Sequence, residues 1–305
     1  MNIKSLKTKI IGVLMGGASS EREISLQTGR AVSGALKEAG FKVRDIDVGD
    51  RIAEDLRRGK IDIAFIALHG PLGEDGTIQG LLEVIRIPYT GSGVLSSALA
   101  MDKIKSKEIF VQYNIPTPSW QVRERGDSSP VRGFPAVVKP SRQGSAVGIT
   151  IVDSARNIPS ALRLAWRFDR RIIIEKFISG MELTVGILNN KPLPVIQIIP
   201  RNRFYDFESK YAAGGSRHVI PAPLPLKIQK QAQELALAAH RALGCSGATR
   251  VDLILDRANK LFVLEVNTIP GMTATSLLPD AARAAGLDFT ELVGKILRGA
   301  GLNKN

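Results

Sequence analysis

Glu265 and Asn267 stand two residues apart near the end of the apolar run KLFVLEVN, just before the break at Pro270 and Gly271. Side chains two apart on a strand share a face, so both present oxygen atoms to one side. The preceding run, RVDLILD, carries Asp252. If residues 257–260 form a four-residue hairpin turn, Asp252 falls opposite Glu265, and the three oxygen-bearing side chains converge. Neighbouring carboxylates repel unless a cation lies between them. A small set of hard oxygen ligands suits Mg2+ that completes its shell with water and phosphate oxygens. An ordinary solvated strand face carries the same residue types, so this constellation alone leaves both readings open.

Two further stretches offer nucleotide chemistry. In VVKPSRQGSAVG, Lys139 ends an apolar strand, and a loop with Gly144, Ser145 and Gly148 follows. Such a loop can fold its backbone N–H groups over a polyphosphate while the lysine neutralises it. It is no P-loop, because G-x-x-x-x-G-K-[ST] occurs nowhere, and GGASSE does not match G-x-G-x-x-G. In IIIEKFISGMEL, Glu175, Lys176 and Phe177 end a strand, with Glu182 a few residues on. A strand edge beside an apolar residue can hold adenine, and a carboxylate can accept from ribose hydroxyls. Taken singly, these are also a plain hairpin loop and a strand leaving its core. His69 ends the run IDIAFIALHG, and Glu21 follows Gly16 and Gly17. Both lie at carboxyl ends of predicted strands, where open α/β sheets bind ligands. A packing histidine and a first-turn carboxylate favoured by the helix dipole remain alternatives. His218, in a predicted loop, and His240, in an alanine-rich helix, are given no catalytic part.

These residues need elements to position them. Over the first ninety or so residues strand and helix alternate: IIGVLM, a helix over 21–39, FKVRDIDV, IDIAFIALHG, a helix near 79–84, then RIPYTGSG as a short strand. Ser20 and Glu23 form a capping-box pattern, and Ile24, Thr28, Val32 and Leu36 repeat at helical spacing. Such alternation implies a parallel sheet covered by helices. GSGVLSSALAMDKIKSKEIF reads as a helical stretch. The strands FPAVVKP, GITIVD and RIIIEKFI with the helix IPSALRLAWRF then suggest a small α+β unit. The strands ELTVGIL and PVIQIIP, a loop over 201–222, the helix PLKIQKQAQELALAAHRAL, RVDLILD with KLFVLEVN, and a helix over 288–298 complete the chain. The expected division is 1–93, an N-terminal α/β domain; 94–179, a central α+β domain; and 180–305, a C-terminal domain.

Bulk composition limits the alternatives. At 305 residues, with 44% hydrophobic and 23% charged, the chain is long enough for two or three packed units. One cysteine, Cys245, excludes an internal disulfide framework and fits a reducing, cytoplasmic setting. The net charge of +13 invites a nucleic-acid reading. The basic residues are spread along the chain, however, aromatics are 5%, and no finger or RNP-like motif occurs, so no nucleic-acid partner is expected. The start, lysines then a short apolar run then small residues, resembles a secretory signal. It runs straight into an amphipathic helix, which favours a first strand. No stretch reaches the ~18 apolar residues of a membrane span, so no membrane partner is expected.

EREIS, ALHGPLGEDGTIQG, YTGSGVLSSALAMDK, VKPSRQGSAVG, IEKFISGMEL, FYDFESKY, RVDLILD and LEVNTIPGMTATSLLP occur in the order seen in D-alanine–D-alanine ligases. The chain resembles that ATP-grasp family from residue 9 to about 298. The resemblance implies an ATP-grasp fold that joins two D-alanine molecules through a D-alanyl phosphate, with release of ADP and phosphate, for peptidoglycan synthesis. It implies ATP as substrate, two Mg2+ or Mn2+ ions, and a cytoplasmic homodimer. By the same resemblance, Lys103 and Lys139 contact the ATP phosphates, Glu175 and the backbone at Lys176 and Ile178 hold adenine, and Glu182 holds the ribose. Asp252, Glu265 and Asn267 bind the metals. Glu21 takes the ammonium of the first D-alanine, with His69 nearby, while Ser276 and Leu277 receive the carboxylate of the second. Tyr211, Glu21 and Ser145 form a triad that closes the site. Arg250 and the Gly271 N–H steady the oxyanion, and Lys210 the transferred phosphoryl. The loop over 201–222 is the expected lid. Ala146 stands where relatives often have Ser, and Ile269 where Ser is common. Tyr211, rather than a histidine, implies a dipeptide and not a D-alanine–D-lactate product.

Overall fold

The computed structural model describes residues 3–127, 129–200 and 215–304. A short helix α1 (Ile3–Leu6) leads into β1 (Ile10–Met15), whose residues after Ile10 are all buried. Helix α2 (Arg22–Glu38), β2 (Lys42–Asp47), α3 (Ile52–Arg58) and β3 (Ile63–Ile66) follow. β1 is the middle strand of a parallel sheet ordered β2-β1-β3, so the signal-like opening is the centre of a sheet. On α2, Thr28, Val32 and Leu36 turn inward at four-residue spacing. Burying Val32 and Leu36 is worth roughly 1.5–3 kcal/mol each. The expected capping box is absent: the N-cap is Glu21, not Ser20, and its N–H is taken by the Ser19 hydroxyl at 3.2 Å. The Glu21 side chain makes no bond to the helix end, which leaves its carboxylate for other contacts. Helix α4 (Thr77–Val84) comes next, and the expected strand RIPYTGSG shrinks to one bridging residue, Tyr89, between Ala64 and Gly301.

The single helical stretch expected after Gly93 is two helices, α5 (Val94–Met101) and α6 (Lys103–Gln112). Asp102 separates them in an extended conformation, and its carboxylate caps α6 by accepting from the N–H groups of Ile104 and Lys105. An N-cap aspartate inside a helical pattern is a break as well as a start. The central unit is an antiparallel sheet of β4 (Trp120–Glu124), β5 (Ala136–Pro140), β6 (Thr150–Val152) and, after helix α7 (Ile158–Ala165), β7 (Arg171–Lys176), ordered β4-β7-β5-β6.

The third sheet contains β8 (Gly180–Leu188), the short β9 (Lys191–Pro192) paired to it, β10 (Ile196–Pro200), β11 (Ser216–Val219) and, past helix α8 (Leu226–Ala242), β12 (Ala248–Asp256) and β13 (Leu261–Asn267). The order is β11-β10-β8-β12-β13, all antiparallel. Part of the expected loop over 201–222 is therefore strand, and His218 lies on it, opposite Ile198. Residues 201–214, with Lys210 and Tyr211, lie outside the described residues.

The β12–β13 hairpin corrects one premise and keeps its conclusion. The Asp256 N–H donates to the Lys260 carbonyl at 2.9 Å, so the turn is three residues, with Asn259 left-handed at φ +59°. A one-residue register shift between Asp252 and Leu253 then leaves Leu264 without an opposite partner. The bulge restores the lost residue, and Asp252 does pair with Glu265 and Arg250 with Asn267.

Two C-terminal helices, α9 (Leu277–Ala284) and α10 (Phe289–Arg298), return to the first sheet. Leu277, Leu278, Leu292 and Val293 share one buried cluster with Ile11, Val13 and Val32. Helix α9 had no counterpart in the sequence reading. Among the described residues no helix is long and apolar enough to cross a membrane.

Candidate active site

Two adjoining clefts lie where the three sheets meet. The larger, about 990 Å³ and open to solvent, is walled by β5 and β7 on one side and β12 and β13 on the other. Lys103, Lys139, Glu175, Lys176, Ile178, Glu182, Asp252 and Glu265 line it. The smaller, about 630 Å³, is lined by Glu21, His69, Arg250, Asn267, Gly271, Ser276 and Leu277. Gly144 and Ser145 belong to both and form the partition between them. All the candidate residues except Lys210 and Tyr211 are thus brought to this junction.

The partition is built by backbone geometry. Ser145 and Ala146 both lie in the left-handed region, at φ +50° and +60°, where non-glycine residues are strained and cluster at functional sites. The turn aims the Ser145 hydroxyl at Glu21, to which it donates a hydrogen bond. Glu21 is buried, and two glycines make room for its carboxylate. A Cβ at Gly144 would come within 3.2 Å of Glu21 Oε2, and one at Gly70 within 2.7 Å. Beside it, His69 Nε2 meets the Thr28 hydroxyl at 3.1 Å, and Nδ1 lies 3.8 Å from Glu74 Oε1. In the sequence Thr28 carries only the signal of a core position, and Glu74 is marked only by the acidic pair in GEDG.

On the sheet wall, Arg250, Asp252, Glu265 and Asn267 share one face. Arg250 forks onto Asp252, Nε to Oδ1 at 2.8 Å and Nη2 to Oδ2 at 2.7 Å. Thr184 donates to Asp252 Oδ1 at 2.7 Å, and Asn267 Nδ2 to Oδ2 at 3.2 Å. Glu265 lies 3.2 Å from Lys103 Nζ, which also donates to the Gln143 carbonyl at 2.7 Å. Among the described residues no cluster of three or more His, Cys, Asp or Glu is placed to hold a metal. The set here is two carboxylates and one amide, all-oxygen donors that fit a hard cation sharing its shell with a ligand and water.

In the larger cleft Glu175, expected on adenine, faces two lysines. Glu175 Oε2 pairs with Lys139 at 2.9 Å and Oε1 with Lys107 at 3.2 Å. Burial alone would raise this carboxyl, yet the two lysines hold it below the usual range. In the smaller cleft, Ser276 Oγ accepts from the Thr273 N–H at 3.0 Å, and a Cβ on Gly271 would come within 2.8 Å of that oxygen. Ser276 is also the N-cap of α9, whose first N–H groups are suited to an anion. His218 is bound to Asp280 at 2.8 Å, and His240 is buried against Thr249 at 2.8 Å; neither lines either cleft.

Known proteins share this arrangement of sequence and fold. The family model described as "D-ala D-ala ligase C-terminus" matches residues 110–298, and the one described as "D-ala D-ala ligase N-terminus" matches 47–92. A D-alanine–D-alanine ligase of Syntrophotalea carbinolica is 49% identical over the whole of both chains. One from Geobacter sulfurreducens is 50% identical over 99% of this chain and 97% of its own. The crystal structure of a D-alanine–D-alanine ligase from Bacillus anthracis complexed with ATP superposes with a TM-score of 0.85 at 35% identity, covering 95% of this chain and 97% of that one. With the fold, the paired clefts and near-half identity over the full length in agreement, the chain belongs to the D-alanine–D-alanine ligase family.

Proposed function

We propose that the chain joins two D-alanine molecules at the expense of ATP, forming D-alanyl-D-alanine, ADP and phosphate for peptidoglycan synthesis in the cytoplasm. The observation that carries this reading is the Gly144–Ser145 partition. It separates a cleft lined by lysines and carboxylates from one lined by Glu21, Arg250 and Ser276, so a phosphate in one can meet a carboxylate in the other.

A carboxylate is a poor electrophile, and transfer of the ATP γ-phosphoryl makes it an acyl phosphate. Lys103 and Lys139 neutralise the phosphates, while Glu182 takes the ribose. Because both Glu175 oxygens face lysines, the backbone at Lys176 and Ile178 is left to hold the base. Asp252, Glu265 and Asn267 would hold Mg2+ or Mn2+, two ions in this family reading, which supply charge neutralisation for the triphosphate. Glu21, fixed by Ser145, orients the ammonium of the first D-alanine beside His69. Ser276 and the Leu277 N–H seat the carboxylate of the second. Its amine attacks the acyl carbon, the oxyanion is met by Arg250 and the Gly271 N–H, and phosphate leaves. Tyr211 and Lys210 complete the closed site in this reading, and the protein acts as a homodimer. The three units 1–93, 94–179 and 180–305 carry substrate, nucleotide and catalytic groups in turn.

Phosphate release from MgATP with D-alanine, L-alanine, or D-alanine plus D-lactate, with products weighed by mass spectrometry, tests the reading. Release with D-alanine and not L-alanine, yielding the dipeptide, is expected. ATP binding without turnover on D-alanine, or a lactate ester as main product, refutes it. Arg250→Ala should lower kcat by about 10²–10³-fold, the usual effect of removing one oxyanion donor.

A further inference from the structure

Lys107 is fully buried on α6, one turn beyond Lys103, and lines neither cleft. Its Nζ lies 3.2 Å from Glu175 Oε1, 2.5 Å from the Thr117 hydroxyl and 3.3 Å from the Pro118 carbonyl, with the Trp120 ring centroid at 5.7 Å. A lysine with no exposed surface is costly unless its charge is matched, and burial pushes this one down to about 8 against the opposing pull of Glu175. Apolar residues fill such positions more cheaply, so the ammonium calls for a reason.

The reason lies in what it joins. Glu175 on β7 is opposite Val137 on β5, and Lys139 is two residues further along the same face. Lys107, Glu175 and Lys139 therefore form a row of two cations about one anion, with Lys139 at the end facing the cleft. Paired with Lys139 alone, Glu175 would cancel its charge. Shared with Lys107, it leaves the row net positive. The same ammonium binds Thr117, whose hydroxyl donates to the Val263 carbonyl at 2.8 Å, while the Val263 N–H donates to the Pro116 carbonyl at 2.8 Å. Val263 lies on β13, two residues before Glu265. One buried side chain thus connects the lysine-bearing sheet with the carboxylate-bearing strand.

We infer that Lys107 is a positioning residue for nucleotide binding: by sharing the Glu175 carboxylate it keeps Lys139 available to a polyphosphate, and through Thr117 it sets the distance from Lys139 to Glu265. This rests on the nucleotide reading of the larger cleft, not on the identity of the amino-acid substrate.

The test is calorimetric titration with MgADP, in the absence of D-alanine, of wild type, Lys107→Met and Lys107→Met with Glu175→Gln, alongside steady-state kinetics and thermal unfolding. Lys107→Met is expected to weaken ADP at least tenfold and raise the KM for ATP comparably, with the KM for D-alanine within twofold. Adding Glu175→Gln removes the carboxylate that would now cancel Lys139, so the double variant should bind ADP more tightly than Lys107→Met. Wild-type ADP affinity in folded Lys107→Met, equal loss for both substrates, or a double variant weaker than the single one overturns the inference. If Lys107→Met does not fold, Thr117→Val decides, with ADP expected at least threefold weaker and unchanged affinity overturning it. A wild type that binds ADP but does not turn over D-alanine refutes the ligase reading while the ADP affinities still judge this one. A wild type that binds no ADP overturns both.

Discussion

Replacing Asp102 by alanine should destabilise the central unit by about 3–4 kcal/mol, a figure that can be built contact by contact. The residue is 5% exposed and accepts from the N–H groups of Ile104 and Lys105 at 3.1 and 3.2 Å, the Ser141 hydroxyl at 2.9 Å, Arg142 Nε at 3.0 Å and Arg171 Nη2 at 2.5 Å. Loss of the cap costs about 1 kcal/mol, and the buried hydroxyl bond about another. The half-buried Arg171 pair contributes about 1.5 kcal/mol as a charged hydrogen bond, whereas the exposed Arg142 pair adds little. Asp102→Asn keeps acceptors for the two amides and Ser141, and should recover about half of the loss. Both tryptophans, Trp120 at the start of β4 and Trp166 just after α7, belong to this unit. Urea unfolding followed by tryptophan fluorescence therefore reads the affected part directly. A loss below about 1 kcal/mol for Asp102→Ala, or an asparagine variant no better than alanine, would refute the reasoning. Burial would raise this carboxyl, yet the bonds from Ser141, the Lys105 N–H and Arg142 hold it below the usual range. Its contribution is accordingly present above the unfolded carboxylate range and lost as pH falls through the folded value.

Two titratable groups outside the clefts give further tests. Burial, with Arg241 adding to it, pushes His240 from 6.5 down to about 4. An unfolded His240 thus binds a proton that the folded one refuses, and stability should fall between pH 6.5 and 4 by up to ~3 kcal/mol. His240→Gln should flatten that part of the acid unfolding curve, and an unchanged slope would sink the assignment. Cys245 is 7% exposed and burial pushes its thiol up to about 12, so a disulfide reagent at about pH 8 should modify it only after unfolding. Modification of the native protein within minutes would show that the site opens.

Legibility differed by the kind of signal. Alternating apolar runs carried the strands, and Asp252, Glu265 and Asn267 stood out because polar oxygens interrupted those runs. The hairpin premise was wrong by one residue, since a bulge leaves no mark in an alternating pattern when the skipped residue, Leu264, is itself apolar. The break at Asp102 was hidden because aspartate within a helical pattern reads as surface until its cap is seen. Lys107 was invisible for a similar reason: a lysine on a helix reads as solvated, and only Glu175, contributed by a distant strand, changes that. Thr28 and Glu74 gained meaning through His69, 41 residues after the first. Contacts made across elements are what a linear pattern does not carry. The ordered set of eight motifs supplied part of that tertiary information, because it stands for a whole arrangement at once.

The unpaired Leu264 separates the hairpin into two parts whose pairings are offset by one residue. A single deletion in the 257–259 turn is absorbed by straightening β13 at that point, which produces uniform pairing around a three-residue turn with Asp252 still facing Glu265. Such a change in length at the tip therefore need not propagate to Asp252, held at the base by Thr184 and Arg250, or to Glu265 opposite it. The outer end of the hairpin is free to drift in sequence and length while its base stays fixed, although one nine-residue strand joins them.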